Sequence, residues 1–375
     1  MSLEKPQWVE LFSEVVTSGL CTGCAACVIS CPHDVLDYKS DEGAYKPFHL
    51  DVDGSFNSCT HGETGCTLCT RACPRFRNWE SEVDNLRYAR ERSDDEVYGI
   101  GDVMLARSSD PSVVDNGQDG GFVSTLLIYA LENDLIDAAL TSGLEGDGTT
   151  WRAEPRMVRT RDEVLATAKS RYTYSPNLLA YPKAVEAGAE RIAVVGMGCM
   201  ASAPGVMKAR KSGKIARRLS TLTIGLLCSK TFDDRIFEEL FEAKYGIKRA
   251  DIKKMNIKGV FQIWTNDGAF HEVPLKEAHA FTREGCNHCP DFSAEHADIS
   301  TGGIGAFGDW TLVIVRTDLG RELMSALKEK GLIETRPGDD DPGAVALLHK
   351  LAQLSRKRWP AEANPGPRRI PVTSN

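Results

Sequence analysis

The chain has 375 residues, 12 of them cysteine, and a formal net charge of −8. That length can bury a sizeable core and fits two domains, while the acidic balance opposes general nucleic-acid binding, which needs a basic footprint. The start, MSLEKPQWVELFSEVV, lacks the basic and long apolar regions of a secretory signal, and no run of about 18 apolar residues is present for a membrane span.

A cytoplasmic protein with reduced thiols is therefore expected. An even cysteine count also suits disulfides in a secreted chain, but compartment and spacing oppose that reading. Residues 1–18 read as a short amphipathic helix. Residues 19–76 hold eight cysteines and little aliphatic material, so residues 1–76 are expected to form a small bacterial-ferredoxin-like domain tied together by its metal groups. Residues 77–98 are charge-rich and read as a solvated linker or surface helix. From 99 to 355 the pattern becomes α/β with a mixed or parallel sheet. GDVMLARS, RIAVVG, LTIGLL and WTLVIVRT read as strands; FVSTLLIYALEND and GRELMSALKEKGLI read as helices. Residues 356–375, rich in proline and basic residues, are expected to be disordered.

The cysteines form three sets of four. Cys21, Cys24, Cys27 and Cys31 read C-x2-C-x2-C-x3-C, followed by Pro32. Cys59, Cys66, Cys69 and Cys73 form a second run, followed by Pro74, in which six residues replace the usual two after its first cysteine. In two-cluster ferredoxins the fourth cysteine of each run binds the other cluster. The expected sets are therefore Cys21, Cys24, Cys27 and Cys73, and Cys59, Cys66, Cys69 and Cys31. Zinc remains an alternative, since it also uses C-x2-C pairs. His33 and His61 read as surface or packing residues. Cys199 and Cys228 each follow an apolar run; as parallel strands these would present both thiols at the carboxyl edge of the sheet. Cys286 and Cys289 would complete a third set, against the alternative of buried, inert thiols.

Gly196-Met197-Gly198-Cys199-Met200-Ala201 matches a dinucleotide fingerprint, but Cys199 occupies its turn, Pro204 follows soon after, and no acid follows the next strand. Arg217 and Arg218 would suit a 2′-phosphate or simply a solvated face. Gly117-Gln118-Asp119-Gly120-Gly121 precedes a helix and suits a phosphate, or is an ordinary turn. Lys169, Ser170, Arg171, Tyr172 and Asn177 combine cations, hydroxyls and an amide in one loop. Asn256, Lys258 and Gly259, and Gly302 and Gly303, lie in similar turn-forming stretches.

Read together, GQDGG (117–121), KSRYTYSPN (169–177), VVGMGCMA (194–201), IGLLCSKTF (224–232), MNIKG (255–259), GCNHCPDFSAEHADISTGGIG (285–305) and VRTDLG (315–320) resemble the beta-subunit family of coenzyme F420 hydrogenase and dehydrogenase. The resemblance covers roughly residues 99–335, plus the ferredoxin-type module. Met197-Gly198 departs from it, because members usually place a proline before this cysteine. The resemblance implies an FAD-containing α/β domain and a core [4Fe-4S] cluster on Cys199, Cys228, Cys286 and Cys289. It also implies the deazaflavin coenzyme F420 as hydride carrier. With the two ferredoxin-like clusters the total is three. The function then expected is an F420-dependent oxidoreductase: FAD takes hydride, and single electrons pass through the clusters to ferredoxin or another redox protein or subunit. No protein side chain is expected to act as nucleophile. Two alternatives stand: a ferredoxin-dependent reductase of an organic substrate, similar to 7-hydroxymethyl chlorophyll a reductase, and a non-catalytic electron-transfer subunit.

Overall fold

The computed structural model describes residues 5–40, 45–50 and 59–363. Its strands in chain order are β1 (Leu36–Lys39), β2 (Lys46–His49), β3 (Asp102–Ser108), β4 (Ala138–Leu144), β5 (Ala153–Val158), β6 (Ile192–Met197), β7 (Leu222–Leu226), β8 (Ile252–Ile257), β9 (Val260–Thr265), β10 (Phe270–Pro274), β11 (Ile299–Gly302), β12 (Thr311–Val315) and β13 (Ile333–Pro337). Eight of them form one sheet in the order β13-β3-β12-β11-β7-β6-β4-β5. Its centre, β11-β7-β6-β4, is parallel, and both flanks are antiparallel. The central strands read as near-continuous apolar runs because helices cover both faces. Helices Phe122–Glu132 and Asp318–Glu329 cover one face, and helix Gly198–Ala209 lies on the other. Strands β3, β6, β7 and β11 run the same way, so their carboxyl ends share one edge. Antiparallel β8, β9 and β10 form a separate three-stranded sheet, packed against the π-helical segment Ile236–Glu242.

The amino-terminal module is not self-contained. Cys24, Ala26, Tyr45 and Ala72 share a hydrophobic cluster with Tyr174, Val194, Cys199 and Met200. The six-residue spacer after Cys59 folds as a helical turn, Thr60–Glu63, with Gly65 at φ 100°. The opening stretch is helical over Trp8–Leu11 and continues as a π-helical turn, Phe12–Val16. Among the described residues no helix is long and apolar enough to cross a membrane.

Two expectations are corrected. Of the two readings of residues 77–98, the helix is present and the solvated linker is not: helix Trp79–Tyr88 buries Trp79, Glu80, Val83 and Asp84, and Arg92 is buried beyond it. The charges misled because they are paired inside. Arg92 donates to Asp84 at 2.8 and 2.9 Å and to Glu295; Arg356 donates to both Glu80 and Glu295. His296, fully buried, lies 3.2 Å from Asp84 and 3.1 Å from Ser202. The expected tail is also structured in part. Helix Pro342–Arg356 runs up to it, and Trp359 is buried beside Trp8 and Leu11 in the cysteine-rich module. Residues 364–375 of that expectation lie outside the described residues.

This knot of buried charge joins three distant stretches of chain. Arg356→Ala leaves the buried Glu80 and Glu295 carboxylates with Arg92 but without one of their two shared cations, and should cost about 3 kcal/mol. The midpoint of denaturant unfolding, at unchanged slope, measures it; a loss below about 1 kcal/mol, the range of surface substitutions, would mean the knot does not hold the segments together.

Candidate functional site

Three groups of thiols line up from the sheet edge outward. Cys199 opens the helix that follows β6, and Cys228 follows β7, so the parallel pair β6–β7 delivers both thiols to one edge. Cys286 and Cys289 come from the loop around Glu284–Asn287. Cys228 lies within electrostatic reach of Cys286, Cys199 and Cys289. A second group, Cys21, Cys24, Cys27 and Cys73, lines one cavity, and a third, Cys31, Cys59, Cys66 and Cys69, lines another. The fourth cysteine of each run thus stands with the other run's first three, in the crossed pattern that their spacing suggests.

The groups are also ordered. Cys199 lies within reach of Cys24, and Cys27 within reach of Cys69. Cys24, Cys27 and Cys73 are buried, whereas all four thiols of the third group are partly exposed. The Cys21 group therefore stands between the core group at the sheet edge and the Cys31 group, the outer one. Burial first, then the neighbouring Cys73 thiol, pushes Cys24 up to about 12; burial likewise pushes Cys73 and Cys69 up to about 12. Such thiols stay protonated at neutral pH unless a metal displaces the proton. The two four-thiol cavities suit iron–sulfur clusters, whose ligands are thiolates, and Cys228 lies within electrostatic reach of the other three core thiols.

Side chains around the core thiols hold them in place. Arg75 Nη2 donates to Cys289 Sγ at 3.3 Å, and Thr231 Oγ1 lies 3.3 Å from Cys286 Sγ. Tyr174 OH lies 3.9 Å from Cys199 Sγ. His288, between two of these cysteines, is half-buried. The dinucleotide-like glycines serve the thiol instead: a Cβ on Gly198 would stand 2.2 Å from Asp291 Oδ2, and one on Gly196 would stand 2.8 Å from Met200. Arg218 is committed to Glu190 and Tyr181, while Arg217 is solvated. His33 and His61 stack on each other at 3.6 Å beside the outer cavity.

Most of the other candidate residues converge beside the core thiols. Gln118 donates to the Met255 carbonyl and accepts from Ser170 N, both at 3.1 Å; Lys254 Nζ donates to the Gln118 carbonyl at 3.1 Å. Tyr172 OH donates to Asn256 Oδ1 at 3.3 Å, and Tyr172 lies within reach of both Asp119 and Cys228. Phe232 N donates to the Tyr172 carbonyl at 3.0 Å, so one ribbon of backbone runs from this pocket to the Cys228 loop. Lys169 sits at φ 77°, a costly conformation for a non-glycine residue that structures tend to keep at functional sites.

The glycines answer to the protein's own packing. Gly121, at φ 69°, caps helix Phe122–Glu132; a Cβ on Gly120 would meet the Ala106 and Asp309 carbonyls at 2.9 Å. A Cβ on Gly303 would lie 2.1 Å from Asp119, and one on Gly302 would lie 2.7 Å from Leu227. Gly117 packs against Gly121, and Gly259 is the left-handed residue of the β8–β9 hairpin, open to solvent. Asn177 is spent elsewhere, donating to the Val195 carbonyl at 2.8 Å and accepting from Ser175. What remains for a ligand is charge. Burial pushes the Asp119 carboxyl up to about 6 against the pull of Lys254 and Lys258, and burial draws Arg171 down to about 10. Lys169 is drawn down by burial and by Lys254, Lys253 and Arg171. Lys254 and Lys258 act on Asp119, and Lys253, Lys254 and Arg171 act on Lys169; this excess of cations fits an anionic ligand.

Arg75, Arg283, Lys254 and Thr231 escaped the sequence reading. The available signal for the first two was a basic residue abutting a cysteine motif.

Known proteins resemble this chain in sequence and in fold. The family models "Coenzyme F420 hydrogenase/dehydrogenase, beta subunit N-term" and "C terminus" match residues 103–181 and 189–341, and "4Fe-4S dicluster domain" matches 20–76. The chain is 35% identical over 268 residues to coenzyme F420 hydrogenase subunit beta of Methanothermobacter thermautotrophicus, covering 70% of this chain and 93% of that one. It is 30% identical over 351 residues to an F(420)H(2) dehydrogenase subunit of Methanosarcina mazei, covering 92% of each. With coenzyme F420-dependent sulfite reductase of Methanocaldococcus jannaschii it shares 31% identity over 364 residues, 93% of this chain and 51% of that one. A solved chain of the F420-reducing [NiFe] hydrogenase complex from Methanosarcina barkeri matches at TM-score 0.67 and 30% identity, covering 71% of this chain and 92% of that one.

If each thiol group holds a four-iron cluster, purified protein carries about 12 iron atoms per chain. Cys199→Ala and Cys69→Ala should each remove about four of them, by colorimetric iron analysis of anaerobic preparations. Full iron in Cys199→Ala would exclude the core group as a ligand set.

Proposed function

We propose that this chain, which belongs to the coenzyme F420 hydrogenase/dehydrogenase beta-subunit family, is an iron–sulfur flavoprotein exchanging electrons between coenzyme F420 and a one-electron redox partner. The observation that carries this reading is the unbroken order of sites. Tyr172 lies within electrostatic reach of Asp119 and Cys228, Cys199 within reach of Cys24, and Cys27 within reach of Cys69 in the partly exposed outer group. A flavin in the pocket would supply exchange between hydride and single electrons, which a deazaflavin and a cubane cluster cannot exchange directly.

The chain's own residues bind and orient. Lys169, Arg171, Lys254 and Lys258 offer cations to the phosphates of FAD or the acidic groups of the deazaflavin. Gln118 clamps the β8 strand to Ser170, fixing the pocket's floor. Asn256 holds the Tyr172 hydroxyl. The three thiol groups hold three [4Fe-4S] clusters, with the outer group facing the partner. Two of the matching relatives are named as subunits, and the sulfite reductase is nearly twice as long as the matched region. Both facts favour a partner chain or added domain on the one-electron side, with ferredoxin as a second candidate.

Mixing anaerobic, purified protein with reduced coenzyme F420 tests the reading. Bleaching of the flavin absorbance without any partner chain is expected. No response to reduced F420, together with bleaching by reduced ferredoxin, would instead favour the reductase reading. Arg171→Gln should weaken flavin retention by roughly tenfold or more, the loss of one charge-assisted contact, measured by flavin release on dilution.

A further inference from the structure

Two buried arginines stand at the junction between the core thiols and the Cys21 group. Arg75 is 2% exposed and Arg283 6% exposed. Arg75 donates to the Pro74 carbonyl at 2.6 Å and to Cys289 Sγ at 3.3 Å, and stacks over Trp79. It lines the Cys21 cavity as well. Arg283 donates to the Thr22 carbonyl at 3.1 Å and lies over the Tyr174 and Tyr45 rings, 3.6 and 4.6 Å from their centroids. Arg75 is within electrostatic reach of Cys199 and Cys289 on one side and Cys24 and Cys73 on the other. Arg283 likewise faces Cys286 and Cys199 on one side and Cys21 on the other.

Neither guanidinium forms an ion pair with a carboxylate among the described residues; Asp291 is the acid nearest Arg75 in electrostatic terms. Arg75 Nε and Arg283 Nε and Nη1 have no hydrogen-bond partner. A buried guanidinium cannot shed its proton and is costly unless an anion compensates it. Neutral thiols do not. Four thiolates around a cubane core do, because their charge outweighs the net positive charge of the iron–sulfide core, and reduction adds one more negative charge.

We propose that Arg75 and Arg283 are positioning residues that supply the fixed counter-charge for reduction of the core and Cys21-group clusters, setting both at higher potential than the outer cluster. The outer cavity's lining, among the described residues, contains no Lys or Arg; His33 and His61 are its titratable residues besides the thiols. The step is the addition of one electron with no bond made or broken. The inference rests on the cluster reading above.

The test is an EPR-monitored redox titration of the full-length, iron-loaded protein at roughly pH 8, where ordinary imidazoles are neutral. Iron analysis comes first: wild type with about four irons or fewer per chain would overturn the cluster reading itself. With about 12 present, two of the three clusters should reduce before the third, and the third should be the signal missing from Cys69→Ala. R75Q and R283Q should each make reduction of the two junction clusters about tenfold less favourable, 59 mV for a one-electron couple, and leave the outer cluster unmoved. R75K and R283K, which keep the charge, should retain most of the wild-type potential. Iron-loaded Gln variants with unshifted potentials, or with all three clusters shifted alike, would overturn the proposal. If the Gln variants fail to load, a wild-type outer cluster that reduces first overturns it equally.

Discussion

One close approach of two backbones governs the redox half of the molecule. The loop carrying Cys21 lies so tightly against the loop carrying Cys286 that a Cβ on Gly285 would stand 2.2 Å from the Cys21 carbonyl oxygen. Gly23, at φ 76°, lets the same loop pass the Tyr45 carbonyl and the Arg283 guanidinium. Any side chain at either glycine would push the cysteine-rich module off the sheet edge. The contact matters because thiols from separate stretches must become neighbours without any covalent link between the stretches. Shape alone does this, at positions where only the smallest residue fits.

The parallel centre of the sheet does the complementary task. β6, β7 and β11 end at one edge, and candidate ligands follow directly: Cys199 after β6 and Cys228 after β7. Open α/β sheets present ligands at such an edge because the loops there can diverge without disturbing the hydrogen-bonded ladder. Electrostatics are then sorted by position. Excess cations gather beside Asp119 and at the junction of the thiol groups, while the molecule as a whole is acidic. The acid excess lies elsewhere, part of it sealed in the knot around Glu80, Asp84 and Glu295.

Much of this was legible in the residues. Runs such as RIAVVG and LTIGLL announced buried parallel strands, and the spacings of the two amino-terminal cysteine runs announced which of their thiols stand together. Family membership was legible from several short motifs read jointly, none of which would suffice alone. Other features were hidden for physical reasons. Helix Trp79–Tyr88 looks like a solvated segment because charge patterning cannot reveal that its carboxylates meet arginines from residues 92 and 356. The glycines at 117–121 and 302–303 resemble a phosphate cradle, but close packing against Asp119, Leu227 and the Ala106 carbonyl demands glycine just as strongly. Pattern reading cannot separate those two demands. Arg75 and Arg283 carry no periodic signal, and only their three-dimensional position between thiol groups marks them.

Trp359 has a consequence for how the protein is made. It occupies the core of the cysteine-rich module together with Trp8 and Leu11, although some 350 residues of chain separate it from them. A ribosome emits the module long before Trp359. The module's own core therefore stays open until that residue emerges, and contacts of such long sequence separation form late and slowly. Cluster assembly factors would meet thiol sets whose hydrophobic surround is still unfinished, which favours insertion of iron and sulfide before the carboxyl-terminal helix closes over them.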